Sequence, residues 1–294
     1  MTTHAAVPLR HGLLSISAAA VAWGVGGAVA ALLMRTSGLG PVAVCSWRFG
    51  VAAFCLALLP AGRQRSGARP APARRGAAVL TGLGLAVSQC AYFGSVQYAG
   101  LGLGTLITIG AGPVLTSLGA HLLLGERLTG RASAAIALAL GGLALLVVGP
   151  AAGPRPVLGA ALAVLAGAGQ SGLTLWARGG GSARATTGAF TTGLACLLPL
   201  AVVEGGVLPG GGEPVLTAGA LLFLGTVPTL LAYRWYFAGL ATVPGATASV
   251  LVLLEPAAAA LIAVACFGEP LTPALLAGSA LLLAAIAALT RETG

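Results

Sequence analysis

Glu255 is the one carboxylate near the middle of a long apolar run. A charge at the centre of a bilayer costs roughly 2.5–3.5 kcal/mol on insertion scales, and intramembrane charges mark functional positions by default. Glu255 would therefore exchange protons or receive the ammonium group of a ligand. The alternative is a carboxylate satisfied by an Arg or by backbone groups freed around Pro256. Arg48 also lies inside an apolar run, away from its ends. It would attract an anionic group, pair with a Glu, or snorkel to the interface. Arg35 and Arg234 sit close to the ends of their runs, where snorkelling accounts for them.

Bulky polar side chains recur at helical spacing. Gln89 and Tyr92 are separated by three residues, Gln170 and Thr174 by four, and Tyr233 and Tyr236 by three, so each pair shares a helix face. Ser88, Ser95, Thr105 and Thr108 form smaller stripes of the kind that joins helices in lipid. Gln89, Tyr92, Gln170 and Tyr233 are too large for close packing, and without partners their amides and phenols are costly in lipid. They point to a wet cavity that takes a small molecule. Trp23, mid-run and one turn from Gly26-Gly27, would wall the same cavity rather than join an interfacial belt.

Other chemistries have thin support. Gly169-Gln170-Ser171-Gly172 matches a short pattern of intramembrane serine proteases, but Ser171 would need a base and His121 is the only His within an apolar run. The chain has no Lys, Asp or Asn. That excludes Walker A lysines, Schiff-base lysines, EF-hands and N-glycosylation sequons. Cys45, Cys55, Cys90, Cys196 and Cys266 lie in apolar runs without metal-ligand spacing and read as small buried apolar residues. No cofactor motif appears, and no basic residue follows the Gly179–Gly181 run at P-loop spacing. The reading has no cofactor, no metal and no enzyme activity.

Helices in lipid must position these residues. Of 294 residues 57% are hydrophobic and only 7% charged, with a mean hydropathy of +0.99. Soluble domains carry roughly a quarter charged residues. The surface partner is therefore the lipid bilayer. Apolar runs bounded by Gly, Pro and charge predict ten helices over 12–34, 41–60, 77–98, 102–124, 132–149, 157–177, 186–203, 215–237, 244–267 and 273–290. With the N-terminus inside, twelve Arg fall on the cytoplasmic side and only Arg35 and Arg155 outside. The excess of positive charge on the inner side places both termini in the cytoplasm. The net charge of +9 sits in short loops and does not point to nucleic acid.

The sequence repeats at an offset of 143: residues 20–35 lie over 163–178 and residues 113–129 over 256–272, pairing Pro113 with Pro256 and Gly125-Glu126 with Gly268-Glu269. The expected units are 1–150 and 151–294, with five helices each. An odd number of spans inserts the second unit upside down relative to the first. Secondary transporters with inverted repeats place their site near the midplane between the units. A passive channel, conducting without saturation, is the competing class.

The motifs resemble the EamA family of the drug/metabolite transporter superfamily. They are Trp23-Gly24, Trp47-Arg48-Phe49, Gln89 to Phe93 with Tyr98-Ala99-Gly100, Pro113, and Leu124 to Thr129. The second half repeats them as Ala232-Tyr233, Phe237 to Leu240, Leu254-Glu255-Pro256 and Gly268 to Thr272. The resemblance implies ten helices in a five-plus-five inverted repeat and movement of small metabolites, often export of amino acids or related compounds. It implies a cavity lined mainly by helices 1, 3, 4, 6, 8 and 9. The family carries Glu-Pro across many substrates, which favours a structural or gating role for Glu255. Ala166 stands where the first half has Trp23, so the two cavity walls differ.

Overall fold

The computed structural model describes residues 9–58, 75–125, 130–148, 153–178, 187–240, 243, 251–252 and 254–292. Among these, ten helices follow one another: α1 Leu9–Ser37, α2 Pro41–Leu58, α3 Arg75–Ala99, α4 Leu101–Leu124, α5 Gly130–Val148, α6 Pro156–Arg178, α7 Thr187–Glu204, α8, α9 Leu254–Phe267 and α10 Pro273–Glu292. α8 runs from Pro214–Gly225 through a π-helical turn, Thr226–Leu231, into Ala232–Leu240. Within the described residues the predicted spans are helical; of the ninth, 244–267, only 251–252 and Leu254–Phe267 are described. Glu126, the Gly179–Gly181 run, Arg63 to Arg74 and residues 244–250 lie outside the described residues.

Helices are the form these runs must take, because lipid offers backbone groups no hydrogen-bond partner. Six described helices are long and apolar enough to cross a membrane, and α5, α7, α9 and α10 hold shorter apolar stretches. Leu32, Phe54, Leu122, Leu165 and Leu261 are exposed, as suits a lipid-facing surface. α3 and α4 are joined through Gly100 alone, at φ 98°, a left-handed conformation that glycine adopts without a Cβ clash.

The packing follows a rule. α6 packs against α3 and α4, while α1 packs against α9 and the last segment of α8. α3 packs on α7 and α8 on α2, and the pairs α2–α7 and α5–α10 complete the bundle. Adding five to a helix number in one half gives its counterpart in the other.

Several helix ends gather at one face. The Gly210 N–H donates to the Ser37 carbonyl (3.0 Å), Trp47 Nε1 to the Val207 carbonyl (2.7 Å), and the Arg155 N–H to the Tyr98 carbonyl (3.0 Å). Arg35 lies 4.6 Å from the centroid of the Phe267 ring. Two carboxylates fasten helix starts here. Glu204 of α7 accepts from the Val42 and Ala43 N–H groups at the start of α2, each at 3.0 Å through Oε2. Glu269, just beyond α9, accepts from Leu101 (2.7 Å) and Gly102 (3.0 Å) at the start of α4. At the opposite face, Gly239 near the end of α8 packs over Gly12 and Ile16 of α1.

Candidate functional site

The site is built around an interruption in α8. Pro228 has no N–H, so the Leu224 carbonyl loses its donor four residues on. The Thr229 hydroxyl donates to that carbonyl at 2.8 Å. The turn is wound wider than an α-helix, with the Ala232 N–H reaching back to Val227. Such π turns are frequent at functional sites.

Two neighbouring helices grip this turn. On the α1 side, Trp23 Nε1 donates to the Pro228 carbonyl at 2.8 Å. The Trp23 ring meets Tyr233 at 5.4 Å and Tyr236 at 5.5 Å between centroids. On the α2 side, Arg48 Nε donates to the Thr229 hydroxyl, while a terminal guanidinium nitrogen of Arg48 donates to Gln89 Oε1 on α3. The guanidinium also lies 5.5 Å from the Phe93 ring centroid. Arg48 is 6% exposed, which removes the snorkelling alternative. Its hydrogen-bond partners are neutral oxygens. Glu255 lies within electrostatic range.

Tyr92 is buried, and its hydroxyl shares a hydrogen bond with the Thr105 hydroxyl at 3.0 Å. Its partner across the bundle is Gly27, where an added Cβ would stand 2.5 Å from the phenol oxygen. Tyr92 and Tyr233 each lie within electrostatic range of both Glu255 and Arg48. Glu255 is half-buried on α9, with its own carbonyl against Gly24.

Gln170 is placed by its neighbours. Ala166 and Gly169 turn towards Ser88 of α3, while Gly167 and Ser171 turn towards Thr108 and Gly112 of α4. At about 100° of rotation per residue, Gln170 falls between these two lines of contact. Its side chain is exposed.

The structure therefore brings together Arg48 with Gln89, and Trp23 with Tyr233, by direct contact. Tyr92 and Glu255 join them within electrostatic range. Gln170 lies on α6 between that helix's contacts with α3 and α4. The Thr108 hydroxyl is the buried side-chain polar atom left without a partner among the described residues. Ser171 donates its proton to the Gly112 carbonyl at 2.8 Å and is 3% exposed. His121 lies nine residues from Gly112 on α4, about 13 Å along the axis, so it is not placed as a base for Ser171.

Sequence reasoning did not single out Thr229. The available signal was a Thr directly after a mid-helix Pro, where a hydroxyl can replace the lost backbone donor. The partner of Glu269 had no local signal, since α4 starts 168 residues away.

Comparison with known proteins agrees with this architecture. The model of the EamA-like transporter family matches twice, over residues 10–148 and 157–291, so each match spans five helices. An uncharacterized protein of Pseudomonas aeruginosa is 34% identical over 289 residues, covering 95% of this chain and 96% of that one. The uncharacterized transporter YwfM of Bacillus subtilis is 30% identical over 211 residues, 69% of each chain. One solved protein structure superposes with a TM-score of 0.60 over 97% of this chain and 99% of its own, at 19% identity, a likeness of fold. This chain is a multi-pass membrane protein and belongs to the EamA-like transporter family.

Proposed function

We propose that the protein is a secondary transporter that carries a small amphipathic metabolite, an amino acid or related compound, out across the cytoplasmic membrane by alternating access. Its two five-helix units, 1–150 and 151–294, insert with opposite topology and both termini face the cytoplasm. The observation that carries this reading is the exchange of contacts: every main packing partner of α6 in the first half has its counterpart on α1 in the second. Two units related in this way give two end states by trading roles.

In this reading Trp23, Gln89, Tyr92, Gln170 and Tyr233 line the substrate site. Aromatic faces and amides suit a molecule with an apolar body and polar ends. Arg48 and Glu255 act in coupling or gating. A buried cation that donates to the neutral oxygens of Thr229 and Gln89, with a half-buried carboxylate nearby, gives opposite charges that a zwitterion or a proton can engage. The test is uptake and counterflow in proteoliposomes over amino acids, polyamines, sugars and nucleosides. The expected result is saturable counterflow of one class and loss of pH dependence in Glu255→Gln. Non-saturating flux would instead assign a channel, and wild-type pH dependence in Glu255→Gln would remove the proton role.

A further inference from the structure

The contacts of α1 with α9 and of α6 with α4 use the same joint in different registers. A Cβ at Gly24 would lie 2.8 Å from the Glu255 carbonyl oxygen, 2.9 Å from Ala258 Cβ and 3.2 Å from Ala259 N. A Cβ at Gly167 would lie 3.0 Å from the Thr108 carbonyl oxygen, 3.1 Å from Ala111 Cβ and 3.3 Å from Gly112 N. Each glycine thus seats on a carbonyl, the side chain three residues on and the amide four residues on. Gly24 and Gly167 are equivalent at the repeat offset of 143. Yet the equivalents of Thr108, Ala111 and Gly112 are Leu251, Leu254 and Glu255, not the residues that Gly24 meets. α9 is displaced on α1 by four residues, about one helical turn or ~6 Å, relative to α4 on α6.

Two other joints show a displacement of the same sense. Gly26 seats on Pro228, whereas its equivalent Gly169 seats on Ser88, the counterpart of Leu231. That is a shift of three residues, ~4.5 Å. Gly225 of α8 meets the Arg48 carbonyl and Val51, whereas Gly82 of α3 meets Ala189 and Thr192, the counterparts of Ser46 and Phe49. In all three joints α8 and α9 are carried towards the face where α1 begins. The first half shows the complementary register, so α3–α4 is carried towards that same face.

We propose that α3–α4 and α8–α9 are sliding units, with Gly167 and Gly24 as their joints, and that the opposite-facing state exchanges the two registers. In that state Gly24 meets the Leu251 carbonyl, Leu254 and the Glu255 amide. Gly167 meets the Gly112 carbonyl, Leu115 and the Thr116 amide. Both pairs of helices move towards the face that holds Glu269, α4 and α9 by about one turn and α3 and α8 by roughly two to three residues. Packed helices have discrete registers rather than a continuum, which makes the step a turn. Glycine at each joint lets the two helices approach closely. This inference rests on the carrier reading and adds the coordinate along which the carrier moves.

Disulfide trapping tests it in a background where the five native cysteines are replaced. Gly24→Cys with Ala258→Cys reports the register of this structure, and Gly24→Cys with Leu254→Cys reports the other. Both pairs should cross-link in membranes at rates within about tenfold of each other, as for two states of similar population. On the α6–α4 joint, Gly167→Cys with Ala111→Cys or with Leu115→Cys should behave alike. Cross-linking at Ala258 but not Leu254, and at Ala111 but not Leu115, would overturn the proposal. Should cysteine at the joints block insertion, spin labels at the exposed Leu32 and Leu261, and at Leu122 and Leu165, decide instead: two distances per pair support sliding, one distance rejects it. Accessibility of Tyr233→Cys from each side of the same vesicles separates the outcomes. Reciprocal access without the second cross-link defeats the sliding alone, and unchanging access defeats the carrier reading.

Discussion

Thr229 saturates a hydroxyl from both sides, giving its proton to the Leu224 carbonyl and accepting from Arg48. Thr229→Val keeps the shape and removes both bonds, leaving a buried carbonyl and a buried guanidinium N–H unpaired. Such losses cost about 1–3 kcal/mol, more at a charged group. Thermal unfolding in detergent should show a clear drop for Thr229→Val and near wild-type behaviour for Thr229→Ser. The two fastening carboxylates offer a second contrast. Glu269 is buried and Glu204 exposed, though each accepts from two helix-start amides. Glu269→Ala should cost about 1–3 kcal/mol and Glu204→Ala about 1 kcal/mol or less, because water replaces the carboxylate only at the exposed end. Equal losses would contradict the burial argument. At this scale the sequence named candidate residues but not what they touch. Glu255 and Arg48 stood out as charges inside apolar runs, but the choice among Arg48's partners depended on α3 and α8, which no spacing within α2 encodes.

Helix elements were legible because one physical rule dominates: a run without charge that is long enough for lipid must be helical. α8 marks where that rule stops. A Pro within a run signals a kink, yet the π turn depends on the Thr229 hydroxyl and on the grip of Trp23 and Arg48 from two other helices. The interface of α5 with α10 gives a test of packing at the same scale. A Cβ at Gly142 would lie 2.9 Å from the Gly278 carbonyl and 3.1 Å from Leu281 Cβ, while one at Gly141 meets nothing within 4 Å. Gly141→Ala should leave stability unchanged or raise it by up to about 1 kcal/mol through helix propensity. Gly142→Ala should destabilise, since backbone cannot move aside as a flexible side chain does. Unfolding midpoints of the two variants should therefore shift in opposite directions or differ by several degrees. A larger loss at Gly141 would refute the observed packing.

The whole molecule is two similar sets of five helices whose contacts map onto one another. The repeat at 143 residues was readable in the sequence, and the family model matches residues 10–148 and 157–291. The difference in register between the halves was not readable, because it arises from how helices settle on each other and not from the sequence of either. Arg distribution gives a prediction for orientation. Tags at the N- and C-termini should both be reached only from the cytoplasmic side, and opposite compartments would reject an even number of spans. The central claim is alternating access to the space between the halves. Cysteines introduced singly for Tyr92, Gln170 and Tyr233, labelled from each side of oriented vesicles, test it most directly. The account predicts that conditions which raise labelling from one side lower it from the other at all three positions. Constant labelling from both sides at once would contradict it.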